Sequence, residues 1–342
     1  MDRARRRFVV LLCVFALANC NLPRVTITTG ETATPIPVTP TESATPTPTT
    51  AELGLAENPL ILALPPSANT NEQINAAKEI ASQLTERTGY VFVTVIPDSY
   101  ADLVDAFEKG NAHIALLDPL SYALAYEKDL VRATYASLNE EGRDQYGAQF
   151  IATRKGGFKS YFDPGTGTNT ADASVALAQF NDRKPCWSEE TSPSGFVVPL
   201  GFLNKNNVFT RPAAFVGGHP TVVRSLYLGG ICDFGATYID ARKFPSLEDQ
   251  YPDLMEQVIV VWQTPEIIPY GIFAFSTEMP SPMRDLISGF IPAILQPDDG
   301  NAAFKIAYGH GVDEWKPIND GDLKDFLAYV RESRVDIKGL LK

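Results

Sequence analysis

Between residues 60 and 118 the chain alternates short β-prone runs with amphipathic helical segments, and no other feature narrows its fold so far. LILAL at 60–64 is a short apolar run stopped by Pro65-Pro66, and residues 71–87 then place Ile74, Ala77, Ile80, Ala81 and Leu84 at helical spacing. Gly89 closes that helix, and YVFVTVI at 90–96 is β-branched and aromatic. Asp98 or Ser99 caps a second helix carrying Leu103, Val104 and Phe107, which ends at Lys109-Gly110 ahead of a third strand, AHIALLD at 112–118. Strand, helix, strand, helix, strand at these spacings is a βαβ pattern, which predicts an α/β fold with a parallel sheet and helices on its faces. A second alternating set begins near Gly147. QFIATR at 149–154 reads as a strand, 171–180 and 195–204 as helices, and PTVVRSLYLGG as a helix stopped by glycines ahead of the strand CDFGATYI. Residues 257–264 and 271–276 read as strands and 283–294 and 323–332 as helices. Two α/β lobes, with the chain returning to the first, follow from this order.

The chain's start sets the compartment. Arg3, Arg5, Arg6 and Arg7 precede an unbroken apolar run at 8–18, too short to span a bilayer comfortably, and then Asn19-Cys20. A cut before Cys20 resembles a bacterial lipoprotein signal, with Cys20 acylated and the protein held on the outer face of the membrane; Asn19 is an unusual residue at that position, and plain secretion is the alternative. TATPIPVTPTESATPTPTT and its flanks cannot bury enough apolar surface to offset ordering, so residues 20–57 are expected to be a semi-rigid tether. Cys13 leaves with the signal and Cys20 carries lipid. Cys186 and Cys232 are then the remaining pair in an exported protein, expected to form a disulfide; two separate buried thiols are the alternative. His113, His219 and His310 are the only histidines and none has ligand-like spacing, so no metal site and no cofactor is expected. A net charge of −12 argues against nucleic acid and against a polybasic membrane patch. It does not exclude an anionic ligand, because backbone N–H groups at helix N-termini attract anions locally.

The succession PDSYADLVDAFEKGNAHIALLDPLSYALA, SPSGFVVPLGFLNKNNV, FVGGHPTVVRSLYLGGICDFGATYID and VVWQTPEIIPYG resembles the substrate-binding proteins of bacterial phosphonate, phosphite and phosphate ABC transporters. The likeness runs from about residue 60 to about 310. It implies a two-lobed periplasmic-binding-protein-like fold, each lobe a mixed sheet flanked by helices, with a ligand cleft between lobes and crossings near 146–150 and 261–265. The expected division is 1–19 signal, 20–57 tether, 58–147 plus 263–342 lobe one, and 148–262 lobe two. The expected partners are a small oxyanion and the permease subunits of an importer, with the protein monomeric and extracytoplasmic.

Site residues carry over position by position. Ser192 and Ser194 match hydroxyl residues that contact the phosphonyl group, and Pro193 stands where the family commonly has Thr, which removes one hydroxyl and one N–H. Gly195 allows a ligand oxygen to approach backbone at a helix start. His219 matches a phosphonyl-contacting histidine, and Tyr100 and Tyr146 match tyrosines facing the cleft. Ser121 and Tyr122 are adjacent candidates at the start of a helix. Asp240 matches one of two carboxylates that bind the ammonium of aminoalkylphosphonates, or else caps the segment IDARK. At the other carboxylate's place Tyr270 and Gly271 carry no charge, which favours phosphite, methylphosphonate or phosphate. Two other classes remain open: a module that reports ligand to a signalling receptor, and a hydrolase using Ser194, His219 and Asp240, although no GxSxG elbow surrounds the serine.

Overall fold

A computed structural model describes residues 52–66, 70–294, 300–308 and 314–342. The expected lipoprotein signal, Cys20, most of the expected tether and His310 lie outside the described residues. Described residues from 52 onward belong to one compact unit. Among them no helix is long and apolar enough to cross a membrane, and no cluster of His, Cys, Asp or Glu is placed to hold a metal ion.

The first βαβαβ run forms as its pattern requires. Strand β1 (Leu60–Ala63) leads to helix α1 (Asn71–Thr88), whose capping box joins Thr70 to Gln73 and whose C-cap Gly89 adopts φ 78°. Strand β2 (Phe92–Val95), helix α2 (Tyr100–Glu108) capped by Ser99, strand β3 (Ile114–Leu117) and helix α3 (Pro119–Glu127) capped by Asp118 follow. β1 lies between β2 and β3 and is parallel to both. The sheet is mixed because later strands join it reversed: β4 (Val131–Ser137), which the sequence pattern had not marked, and β12 (Ile272–Ser276) and β13 (Trp315–Pro317) run antiparallel to their neighbours. Alternate residues face opposite layers. Ile114 and Leu116 join a cluster with α1, α6 (Ser281–Ile294) and α7 (Gly300–Tyr308), whereas Ala115 and Leu117 join a cluster with α2 and α3.

The chain leaves this sheet through a two-residue strand β5 (Gln145–Tyr146) and enters the second sheet at β6 (Ala148–Thr153). That sheet has the order β8 (Ala214–Phe215), β7 (Pro185–Trp187), β9 (Phe234–Tyr238), β6, β10 (Val258–Gln263). Return is through β11 (Ile268–Pro269), which pairs antiparallel with β5, so both crossings run side by side. Two helices flank the second sheet, α4 (Val198–Lys205) and α5 (His219–Leu228). The disulfide Cys186–Cys232 forms, with Cα atoms 5.6 Å apart, and joins β7 to the segment entering β9.

Two segments differ from expectation. The helix anticipated at 171–180 is a short α turn at Ala173–Ala176 followed by a 3-10 turn at Leu177–Phe180, in which buried Leu177 and Phe180, three apart, fall on one face. The helix anticipated from Gly195 opens with a wider turn at Pro193–Val197, closed by the Val197 amide donating to the Ser192 carbonyl at 3.1 Å, before α4 proper.

One buried cluster runs through both sheets, from Ala63 and Leu103 through Phe150 and Val261 to Phe202 and Phe326. Helix α8 (Lys324–Ser333) contributes to it. Although α8 follows a strand of the first sheet, it packs along α4: the Phe202 and Tyr329 rings stack at 3.6 Å, and Asn204 Nδ2 donates to the Glu332 and Ser333 carbonyls at 3.0 and 3.1 Å.

Candidate functional site

The two strand crossings and the N-terminal ends of α3, α4 and α5 surround a cavity of about 600 Å³. From the second sheet it receives Ser194, His219 and Tyr238, and from the first sheet and the crossings Ser137, Asn139, Tyr146 and Tyr270. Pro119 and Pro193 bring two helix starts to its wall.

The segment SPSG forms a capped helix start. Ser192 Oγ accepts the Gly195 amide at 2.9 Å, so one of the orphan donors of the first turn is used internally. Pro193 has no amide to offer, which leaves Ser194 to supply donors to the cavity. Its side chain faces the same cavity as the Tyr146 phenol, which enters from the crossing between the sheets. Burial pushes the Tyr146 hydroxyl up to about 12, with the Ser194 side chain working against it, so the phenol keeps its proton.

His219 opens α5. Gly217 and Gly218 before it have φ of 75° and 106°, a pair of left-handed residues that only glycine adopts readily and that turns the chain into the helix. Its Nδ1 accepts the Tyr238 amide at 3.3 Å, which places the ring proton on Nε2. Nε2 then points at Ser192 Oγ, 3.4 Å away, and at the cavity. Burial lowers the imidazole to about 4, so at neutral pH it is an uncharged N–H donor. Hydroxyls and a neutral imidazole N–H therefore converge on one volume, a donor set suited to an oxyanion.

Of the residues singled out from sequence, Tyr146, Ser194 and His219 line the cavity, and Ser192 supports two of its walls. The others are placed differently. At Gly195 the space left by the missing side chain is filled from within the protein, since a Cβ there would lie 1.8 Å from Ser188 Oγ. The Ser121 hydroxyl donates to Asp118, whose carboxylate also takes the Leu120 and Ser121 amides. Tyr122 is fully buried and donates to Asp320 Oδ1 at 2.6 Å. Tyr100 packs against the buried cluster at the start of α2, its hydroxyl raised by burial and then by the charge of Asp118. Asp240 caps the 3-10 turn Ala241–Lys243 and pairs with Arg242 at 2.7 Å; burial opposes its charge, and the guanidinium outweighs burial and holds the carboxyl low. With Asp240 so engaged and His219 Nδ1 on a backbone amide, Ser194, His219 and Asp240 do not form a catalytic triad.

Sequence reading did not pick out Asn139 and Ser137, and it placed Tyr270 at the site only as a position without charge. Asn139 Nδ2 donates to the Tyr270 hydroxyl at 3.1 Å, and the Tyr146 and Tyr270 rings pack at 4.9 Å. Ser137 Oγ accepts the Gly271 amide at 2.8 Å. The only local signal was the turn-rich stretch SLNEEGRD, which says nothing of its neighbours in space.

A family model described as ABC transporter, phosphonate, periplasmic substrate-binding protein matches residues 62–323. The chain is similar to the phosphate-import protein PhnD of Mycolicibacterium smegmatis, with 26% identity over 225 residues, covering 63% of this chain and 65% of that protein. Among solved structures it is similar to XAC2383 from Xanthomonas citri bound to ATP, with a TM-score of 0.60 and 14% identity over 80% of this chain and 98% of that one. The chloride-bound form of XAC2383 gives a TM-score of 0.58 at the same identity and coverage.

Proposed function

The chain belongs to the periplasmic substrate-binding proteins of phosphonate ABC transporters, and from that premise we propose that it captures a small phosphorus oxyanion in the cavity between its sheets and delivers it to a permease. It is a binding protein and not an enzyme. The observation that carries the ligand reading is the convergence of Ser194, Tyr146 and the His219 Nε2–H on one cavity. In this reading Ser192, Ser194, Tyr146 and His219 hold the phosphorus oxygens through neutral donors, and discrimination rests on hydrogen-bond pattern. Asp240 is committed to Arg242 and unavailable to an ammonium, which supports phosphate, phosphite or methylphosphonate over an aminoalkylphosphonate. The name of the mycobacterial relative, a phosphate importer, points the same way.

The same proposal takes 58–147 with 263–342 and 148–262 as lobes that close on the ligand, and Cys20 as a lipidated anchor behind the tether. Closure follows if the anion touches both lobes only when they are shut. Calorimetric titration with phosphate, phosphite, methylphosphonate and aminoethylphosphonate tests the ligand. Binding of one of the first three in preference to the last is expected; a strong preference for the amine compound overturns the ligand assignment, and no binding of any of the four overturns the oxyanion site.

A further inference from the structure

Ser188 follows directly on β7, and its main chain ties together the two loops that build the cavity wall. Its amide donates to the Gly195 carbonyl at 3.3 Å, and its carbonyl accepts the Gly217 and Gly218 amides at 2.8 and 3.3 Å, in the turn that delivers His219. Its side chain is another matter. Ser188 is 1% exposed, and among the described residues its Oγ has no hydrogen-bond partner. Buried hydroxyls are almost always paired, and an unpaired one is costly enough to call for a reason. The packing around it is close, since a Cβ on Gly195 would lie 1.8 Å from Ser188 Oγ and 2.8 Å from Ser192 Oγ. The two hydroxyls therefore flank the same glycine, a side-chain rotation apart.

A count of donors on Ser192 Oγ suggests the reason. A serine hydroxyl has two acceptor positions and one proton. One position is taken by the Gly195 amide and the other faces the His219 Nε2–H, so the proton of Ser192 is engaged by neither contact. An oxyanion in the cavity competes for the His219 Nε2–H, and the position on Ser192 facing the imidazole then loses its donor.

Resting on the oxyanion reading above, we propose that Ser188 is a positioning residue for ligand binding: as an anion draws the His219 N–H away, the Ser188 hydroxyl donates to the vacated position on Ser192 Oγ and keeps the Ser192 proton aimed at the anion. Two hydroxyls and one imidazole then exchange partners without any proton being gained or lost. Ser188 never touches the ligand. Its hydrogen bond exists only in the complex, so it contributes to affinity and not to the stability of the unoccupied protein.

A double-mutant cycle read by calorimetry with inorganic phosphate and with methylphosphonate tests this, alongside thermal melts without oxyanion. Ser188→Ala is expected to bind about 3- to 10-fold more weakly, the range of one net hydrogen bond, while melting without oxyanion at or above the unsubstituted protein. Ser188→Cys, which keeps a weaker donor on a somewhat larger side chain, should fall between. In a Ser192→Ala background, Ser188→Ala should change affinity by less than about 2-fold, because the two act through one bond. Unchanged affinity in Ser188→Ala, additive effects in the cycle, or a lowered melting temperature without oxyanion overturns the proposal. If the unsubstituted protein binds neither anion, the oxyanion reading falls and this proposal with it; normal binding that ignores Ser188 removes this proposal alone.

Discussion

His219 shows how a single side chain acquires its character from its surroundings. The motif GGH marked it as a candidate, and that much was legible. Its role as an uncharged donor was not, because it depends on the Tyr238 amide, nineteen positions further on in β9, and on burial. A histidine held neutral by burial is stabilising above its ordinary pKa of 6.5, and that contribution is lost as pH falls toward the folded value of about 4. His113, also lowered by burial, acts with the same sign. Carboxylates such as Asp240, held low, add their own loss only as pH falls below the ordinary carboxylate value of 3.8. Urea midpoints are therefore expected to fall between pH 6.5 and 4, with a shallower fall in His219→Gln. An identical profile in the two proteins would show that the imidazole is not buried neutral. Gly195 teaches the opposite lesson: it read as an opening for a ligand, and its missing side chain instead makes room for Ser188, a contact no local pattern reveals.

Among the elements, those whose hydrophobic period and end signals agree were legible to within a few residues, α1 with its Thr70 and Gly89 caps being the clearest. β4 was not, because VRATYAS owes its strand to pairing with β12 and β13 and carries a weak pattern of its own. The cavity walls at Asn139 and Tyr270 were hidden for the same reason, since the pairing of β5 with β11 brings them together. The helix that follows the SPSG turn is held by a close contact equally invisible in the sequence. A Cβ on Gly201 would lie 2.0 Å from the Tyr329 carbonyl oxygen, a backbone atom that cannot turn aside. Gly201→Ala should therefore force α4 and α8 apart and destabilise the protein by about 1–3 kcal/mol, measured as a lower denaturant midpoint at unchanged slope, with ligand affinity falling because Ser194 sits in the turn that leads into α4. A midpoint within error of the unsubstituted protein would mean the two helices do not approach so closely in solution.

At the scale of the molecule, two mixed sheets joined by a paired crossing suit an opening and closing cleft, and small-angle scattering tests the motion. Addition of the tightest-binding oxyanion is expected to reduce the radius of gyration; an unchanged value with saturated binding would show that capture occurs without closure. The overall α/β order could be read from the sequence because βαβ spacing is a local property. Which terminal segment leans on which half could not, since α8 reaches α4 only through contacts more than one hundred residues apart. That contact limits how the molecule can flex. Besides the two adjacent passages at 145–148 and 263–268, the stretch leading from β13 to α8 forms a third attachment, fastened by the Phe202–Tyr329 stack. A door on two neighbouring pins can swing and also twist; one tied at a third, separate point keeps only the swing whose axis runs near all three.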